Sequence, residues 1–238
     1  MLTLLDISKS FPQPDGGRLL LFEHVSFTVE DGVIMAVLGP NGCGKTTLFR
    51  LVSGEISPDS GSIELDETPL DSVPLYRRSK SIGRVHQDSY RSLASDLTIR
   101  EVLSIAAKRR KLLTLSFPSP ERALAELGEI SGEVLQFLKV YLNTPTRFLS
   151  GGERQLLAIA ICVLGRPRLI LLDEHTASLD DKYRREVDML LKRVTQHTNA
   201  SVLCITHDQA WARRYVDSYA VFRDRSVVVS SSLTELLL

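Results

Sequence analysis

The sequence is sparse in cysteine, balanced in charge and free of long apolar runs, and each of these features excludes a class of protein. Its three cysteines, Cys43, Cys162 and Cys204, are scattered, which favours reduced thiols in a cytosolic compartment over a disulfide framework. Lysine plus arginine and aspartate plus glutamate number 29 each, so composition indicates no basic surface for nucleic acid. No apolar run approaches the ~20 residues of a membrane helix, and the N-terminus lacks a signal-peptide pattern. We expect a soluble intracellular protein that reaches a membrane only through a partner.

Residues 39–47 match the phosphate-loop pattern of Gly, four residues, then Gly-Lys-Thr. The apolar run 33–38 predicts a buried strand before this loop, and residues 46–52 predict a helix after it. Glycines allow successive backbone amides to point at an anion, which also lies at the positive end of the helix dipole. The lysine can reach β- and γ-phosphates and the first threonine hydroxyl can hold Mg²⁺. A ligand-free glycine turn is the alternative, which the flanking strand and helix disfavour. The predicted phosphate-binding residues are Gly39, Pro40, Asn41, Gly42, Cys43, Gly44, Lys45, Thr46 and Thr47.

A second anion site is predicted at residues 149–153, which read Leu-Ser-Gly-Gly-Glu. Ser150 and Glu153 have the spacing of a capping box at the start of an apolar helix that runs to residue 164. Gly151 and Gly152 lie inside the box, so we expect backbone amides at this helix start to be uncovered. Taken alone, the stretch does not exclude a helix cap that has no ligand.

Polar residues follow several predicted strands at the points where these strands end. The apolar run 169–172 leads to Asp173 and Glu174, a pairing that suits a magnesium ligand followed by a general base. His207 follows the strand predicted over 202–206, and Gln87 follows the apolar stretch 82–86. Ligands bind at the carboxyl ends of parallel strands, so these side chains are candidates for one site.

The remaining elements frame this predicted core. The alternating pattern over 2–8 and 20–29 predicts two strands of an antiparallel region. Phe11 lies beside the turn between them, where it can stack on a nucleotide base or serve as a core or turn residue. A Thr98–Glu101 capping box starts a helix, and helices over about 121–129 and 133–142 complete a lobe inserted into the α/β core. A helix from 178 to about 197, a shorter one to 215, and strands over 218–222 and 226–230 follow.

Taken in order, these motifs are similar to those of the ATP-binding subunits of ABC transporters, and the resemblance covers essentially the whole chain. It implies a single domain over 1–238 with the ABC ATPase fold. Within it, 1–87 and 148–238 form a RecA-like phosphate-loop NTPase core with an N-terminal antiparallel β region, and 88–147 form an inserted α-helical subdomain.

The resemblance also implies ATP and Mg²⁺ as ligands and assigns roles to residues of this sequence. Phe11 stacks on adenine, and Lys45 contacts the phosphates. Mg²⁺ is held by Thr46, Gln87 and Asp173. Glu174 is the catalytic base, and His207 orients the attacking water. Residues 149–153 are the signature motif and Asp180 belongs to the D-loop, both facing a second subunit.

The implied partners are a second ATPase subunit in a dimer, a membrane permease and a substrate-binding lipoprotein, with the chain on the inner face of the membrane. The string 174–180 resembles a bacterial importer group linked to tryptophan or related amino acids. Two alternatives stay open: a non-transport ABC ATPase that acts as a nucleotide-timed switch on a membrane partner, and a phosphate-loop kinase or GTPase. The latter leaves residues 149–153 and His207 unexplained.

Overall fold

The structure is a computed structural model that describes residues 1–86, 93–108, 119–174, 179 and 181–233. Its framework is a six-stranded sheet with the order β10-β9-β3-β8-β7-β6, in which only the β9–β10 pair is antiparallel. Every residue of β3, β7 and β8 is buried, as expected for parallel strands covered on both faces. The strands are β3 (Ile34–Leu38), β6 (Ile82–Val85), β7 (Leu169–Asp173), β8 (Ser201–Ile205), β9 (Ser218–Arg223) and β10 (Ser226–Ser230).

The predicted antiparallel region is confirmed as a separate sheet with the order β2-β1-β4-β5. Its first strand is longer than predicted, because the hairpin keeps its pairing as far as Pro12 and Arg18. A proline is tolerated there since it ends the ladder. The strands are β1 (Leu2–Pro12), β2 (Arg18–Val29), β4 (Ser60–Leu65) and β5 (Thr68–Pro69).

Within the described residues the predicted helices are confirmed, and an additional α-helix is present. Both predicted capping boxes form, at Thr98–Glu101 and at Ser150–Glu153. The additional helix, α2, buries none of its residues, so its sequence lacks the helical spacing of apolar residues from which a helix is predicted. The helices are α1 (Lys45–Ser53), α2 (Leu75–Ser81), α3 (Ile99–Lys108), α4 (Pro120–Ile130), α5 (Gly132–Val140), α6 (Gly151–Leu164), α7 (Asp181–Thr198) and α8 (Gln209–Tyr215).

Helices α3 to α5 fall within 88–147, but the division of the chain at 87 and 147 stays a prediction. Across the described residues, no helix has both the length and the apolar character that crossing a bilayer requires.

The hydrophobic core has two parts because successive residues of a strand face opposite sides of the sheet. In β3, Ile34 and Ala36 face the helical side, where α3 to α7 pack. Met35 and Val37 face the other side, where the antiparallel sheet and α1 pack. The central strands are therefore fixed from both sides.

Asp188 lies in this core and gives a testable pH dependence of stability. It is 3% exposed, and its Oδ1 accepts a 2.6 Å hydrogen bond from the Trp211 indole. Burial raises its pKa, so the folded state holds a proton that the unfolded state loses more readily. The free energy of unfolding therefore falls as pH rises from the ordinary aspartate pKa through the raised one.

We expect Asp188→Asn to keep the indole hydrogen bond and to remove this pH dependence. The free energy of unfolding at neutral pH should change by no more than about 1 kcal/mol, whereas Asp188→Leu should cost about 1–3 kcal/mol by stranding the indole N–H. Urea titrations between pH 4 and 8 measure both. An unchanged pH slope in the asparagine variant would contradict the assignment.

Candidate active site

The loop between β3 and α1 has a backbone that only glycine accommodates at its critical positions. Gly44, the N-cap of α1, has φ 107°, and a Cβ there would lie 2.7 Å from the Phe22 ring. Gly39 has φ 147°, and a Cβ would lie 2.8 Å from the Cβ of Phe222. Because Gly44 has no side chain to cap α1, the first amides of the helix are available to an external anion. This loop therefore fits a phosphate group.

Lys45 occupies the centre of this loop and is only 7% exposed. Its ammonium group donates hydrogen bonds to the carbonyl oxygens of Gly39 at 2.8 Å and Pro40 at 2.9 Å. The charge is therefore held on the inner side of the loop. A phosphate bound to the amides at the helix start would meet a cation already in place.

Asp173, at the end of β7, lies beside the phosphate loop. The Thr46 hydroxyl lies close enough to the Asp173 carboxylate to lower its pKa, and Asp173 Oδ2 is 3.9 Å from a guanidinium nitrogen of Arg84. Burial raises the pKa of Asp173, and the positive charge of Arg84 opposes this rise. Arg84 is held in turn by an ion pair with Glu55. A hydroxyl and a buried carboxylate in contact form an oxygen-donor set that Mg²⁺ favours.

Glu174 and His207 meet at the ends of the neighbouring strands β7 and β8. His207 Nε2 lies 3.2 Å from Glu174 Oε1. The Glu174 amide donates to the Ile205 carbonyl at 2.9 Å, and this contact fixes the backbone where the two strands diverge. Glu174 has φ 49°, a left-handed conformation that is uncommon for a non-glycine residue and is concentrated at functional sites.

The start of α6 carries a capping box whose acidic member has additional partners. The Ser150 amide donates to Glu153 Oε2 at 2.8 Å, and the Glu153 amide donates to Ser150 Oγ at 3.3 Å. Burial opposes ionisation of Glu153, but hydrogen bonds from Ser150, Tyr183 and Tyr141 outweigh it and lower its pKa. Because the Ser150 amide is already paired, the donors left for an external anion are those of Gly151 and Gly152.

The structure therefore brings the predicted residues together in two groups. Loop 39–47, Asp173, Glu174 and His207 form the first group, and the start of α6 forms the second. Within the described part of the chain, no hydrogen bond or ion pair joins the two groups. Phe11 is half-buried on β1, with the Lys9 ammonium 5.5 Å from its ring centroid. Gln87 and Asp180 lie outside the described residues.

Among the residues in contact with these groups, Arg84 and Tyr183 were missed in the sequence. Arg84 interrupts the apolar strand β6, and a cation in such a run is a recognisable signal of a buried partner. Tyr183, which bonds to Glu153, lies on a helix with an ordinary polar face and carries no comparable signal.

A phosphate loop with a magnesium-type carboxylate and a carboxylate–imidazole pair at the adjoining strand ends defines a phosphate-loop nucleoside triphosphatase.

Comparison with known proteins gives the family. Residues 22–177 match the ABC transporter family. The tyrosine transport ATP-binding protein of Clostridioides difficile is 36% identical over 229 residues, which cover 96% of this chain and 91% of that protein. The spermidine/putrescine import ATP-binding protein PotA of Aliivibrio fischeri is 33% identical over 94% of this chain, which spans just over half, 56%, of that protein's length. Among solved structures, cbiO1 of Clostridium perfringens, part of the ABC transporter complex cbiONQ, superposes with a TM-score of 0.82 at 26% identity, covering 99% of this chain and 90% of that one.

The chain thus belongs to the ABC transporter family, as an ATP-binding subunit that hydrolyses ATP. The predicted fold class is confirmed with it, and the kinase or GTPase alternative is wrong.

Proposed function

We propose that the chain drives the import of an aromatic amino acid across the cell membrane. The observation that carries this proposal is the 36% identity, over 96% of the chain, to a protein named for tyrosine transport. The resemblance of the string 174–180 to importers linked to tryptophan supports the same class of solute.

In this proposal the first group of residues binds and cleaves ATP. The loop amides and Lys45 hold the β- and γ-phosphates, and Phe11 stacks on the adenine. Glu174 takes the proton from the attacking water, and His207 orients that water at hydrogen-bond distance from Glu174.

Thr46, Asp173 and Gln87 would hold Mg²⁺. The contact between Thr46 and Asp173 supports this assignment for those two residues. When bound, the ion neutralises charge that develops on the phosphates. The Arg84 guanidinium, 3.9 Å from Asp173 Oδ2, favours the ionised form of this buried carboxylate against the effect of burial.

The second group completes the site of another copy of the subunit. The amides of Gly151 and Gly152 donate to the γ-phosphate held by the partner subunit's phosphate loop, with Asp180 at the same interface. ATP then joins the two subunits because both donor sets require its terminal phosphoryl group, and hydrolysis removes that link.

The proposed partners are a second identical subunit, an integral membrane permease and a substrate-binding lipoprotein. The subunit is then held at the inner face of the membrane by the permease. Opening and closing of the dimer would be transmitted to the permease and alternate the access of the solute.

Affinity purification of the tagged chain from its own host under mild detergent tests this proposal. We expect a multi-span membrane protein and a lipoprotein to co-purify, and the melting temperature of the lipoprotein to rise with tyrosine, tryptophan or phenylalanine. A lipoprotein stabilised only by a polyamine or sulfate would overturn the proposed solute. Recovery of a peptidoglycan hydrolase regulator in place of a permease would favour the switch alternative.

A further inference from the structure

Tyr183 connects two parts of the subunit that serve different ATP molecules in the proposed dimer. It lies in the first turn of α7, and its hydroxyl donates a 2.8 Å hydrogen bond to Oε1 of Glu153. The other oxygen of that carboxylate, Oε2, accepts the Ser150 amide at the start of α6. One carboxylate therefore caps the signature helix and binds the phenol at the same time.

The ring of Tyr183 also packs against the backbone of Gly152. A Cβ at Gly152 would lie 3.0 Å from Cδ2 of the ring and 3.4 Å from two further carbons of the same side chain. Phe137 of α5 supports the ring, with centroids 6.2 Å apart and an interplanar angle of 72°. The ring therefore limits how far the Gly152 amide can turn, while the hydroxyl fixes the cap.

Helix α7 itself follows β7, which ends in the catalytic residues. Eight residues, 175–182, separate Glu174 from Tyr183 along the chain. In the proposed dimer Glu174 acts on ATP bound by its own subunit, whereas Gly151 and Gly152 contact ATP bound by the partner. Tyr183 is thus nine positions from Glu174 along the chain and in contact with Gly152.

We propose that Tyr183 is a positioning residue that orients the signature amides through Glu153 and Gly152 and couples the two ATP sites of the dimer. The inference rests on the proposed dimer. Removing the hydroxyl releases Glu153 from one of its partners and lets the start of α6 fray. The amides of Gly151 and Gly152 then bind the partner's γ-phosphate more weakly, and the cooperativity between the two ATP sites falls.

Tyr183→Phe tests this inference because it keeps the ring and removes only the hydroxyl. We expect the ATP concentration for half-maximal hydrolysis to rise about three- to tenfold and the Hill coefficient to fall toward one. The affinity of the monomer for a fluorescent ATP analogue should stay the same, and the melting temperature should fall by no more than about 4 °C. In the Glu174→Gln background, the ATP-dependent dimer should weaken by a similar factor.

A double-mutant cycle separates positioning from general stability. Tyr183→Phe should have no further effect in a Glu153→Ala background, since its partner is already gone. Tyr219→Phe is the matched control: its hydroxyl donates to the Ala212 carbonyl at 3.1 Å, away from both groups of site residues, and it should leave the Hill coefficient unchanged. Additive effects of the Tyr183 and Glu153 changes, or an unchanged Hill coefficient in Tyr183→Phe, would overturn the inference alone. Failure of the Glu174→Gln protein to dimerise with ATP would overturn the proposed function and this inference with it.

Discussion

Replacing Glu174 by glutamine lowers the rate of ATP hydrolysis by about 10²–10⁴-fold, because the amide cannot accept the proton of the attacking water. Binding of ATP should be nearly unaffected, since Glu174 lies at the strand end and contacts His207, whereas the phosphates are held by the loop around Lys45. The uncleaved nucleotide should then accumulate a dimer that the wild-type protein forms only transiently. Steady-state phosphate release and analytical ultracentrifugation with and without Mg-ATP measure both effects.

His207→Ala is a suitable comparison, because it removes the group that orients the water and leaves the catalytic base, Glu174. Hydrolysis should fall in this variant as well, although less than in Glu174→Gln. Chelation of Mg²⁺ should abolish hydrolysis in the wild-type protein. Turnover within twofold of wild type in Glu174→Gln, or a protein that stays monomeric at saturating Mg-ATP, would exclude Glu174 as the base of an ATP-joined dimer.

Replacing Gly152 by leucine abolishes ATP-dependent dimerisation and lowers hydrolysis by about 10²–10³-fold, a loss comparable to that of a donor to a transition-state oxyanion. A Cβ at residue 152 would lie 3.0 Å from Cδ2 of Tyr183, so the leucine must displace that ring or shift the backbone that carries the amides at the start of α6. Binding of a fluorescent ATP analogue to the monomer should persist, because the first group of site residues is untouched. Sedimentation, phosphate release and nucleotide titration together distinguish these steps.

Gly132 provides a matched control for this substitution. It too lies in the first turn of a helix capped by a serine, since Ser131 is the N-cap of α5 and its hydroxyl accepts from the Val134 amide. A Cβ at Gly132 meets no atom within 4 Å. Gly132→Leu should therefore keep both the dimer and its turnover. Equal losses in the two variants would show that bulk in a helix start, and not the signature amides, is responsible.

The parallel core could be predicted from the sequence because its strands are buried on both faces and read as unbroken apolar runs. The polar residue that follows each run then falls at one edge of the sheet, as at Asp173 and His207. The phosphate loop and both capping boxes could also be predicted, since each depends on residues a few positions apart.

Features that depend on tertiary contacts could not be predicted. Helix α2 buries no side chain, so its sequence has no helical spacing of apolar residues. The extra length of β1 depends on its register with β2. The left-handed backbone of Glu174 and the contacts of Arg84 and Tyr183 arise only when distant segments pack. The sequence places candidate groups at strand ends, whereas the orientation of each group is decided by neighbours far along the chain.

The Lys45 ammonium joins two neighbouring positions of the loop through its hydrogen bonds to the carbonyls of Gly39 and Pro40. The lysine acts as an internal brace, so its removal alters the curvature of the loop together with the local charge. Weak nucleotide binding in a Lys45→Ala protein would thus reflect two losses at once. An arginine could not restore both, because its rigid planar fork differs from the compact ammonium that fits between these oxygens.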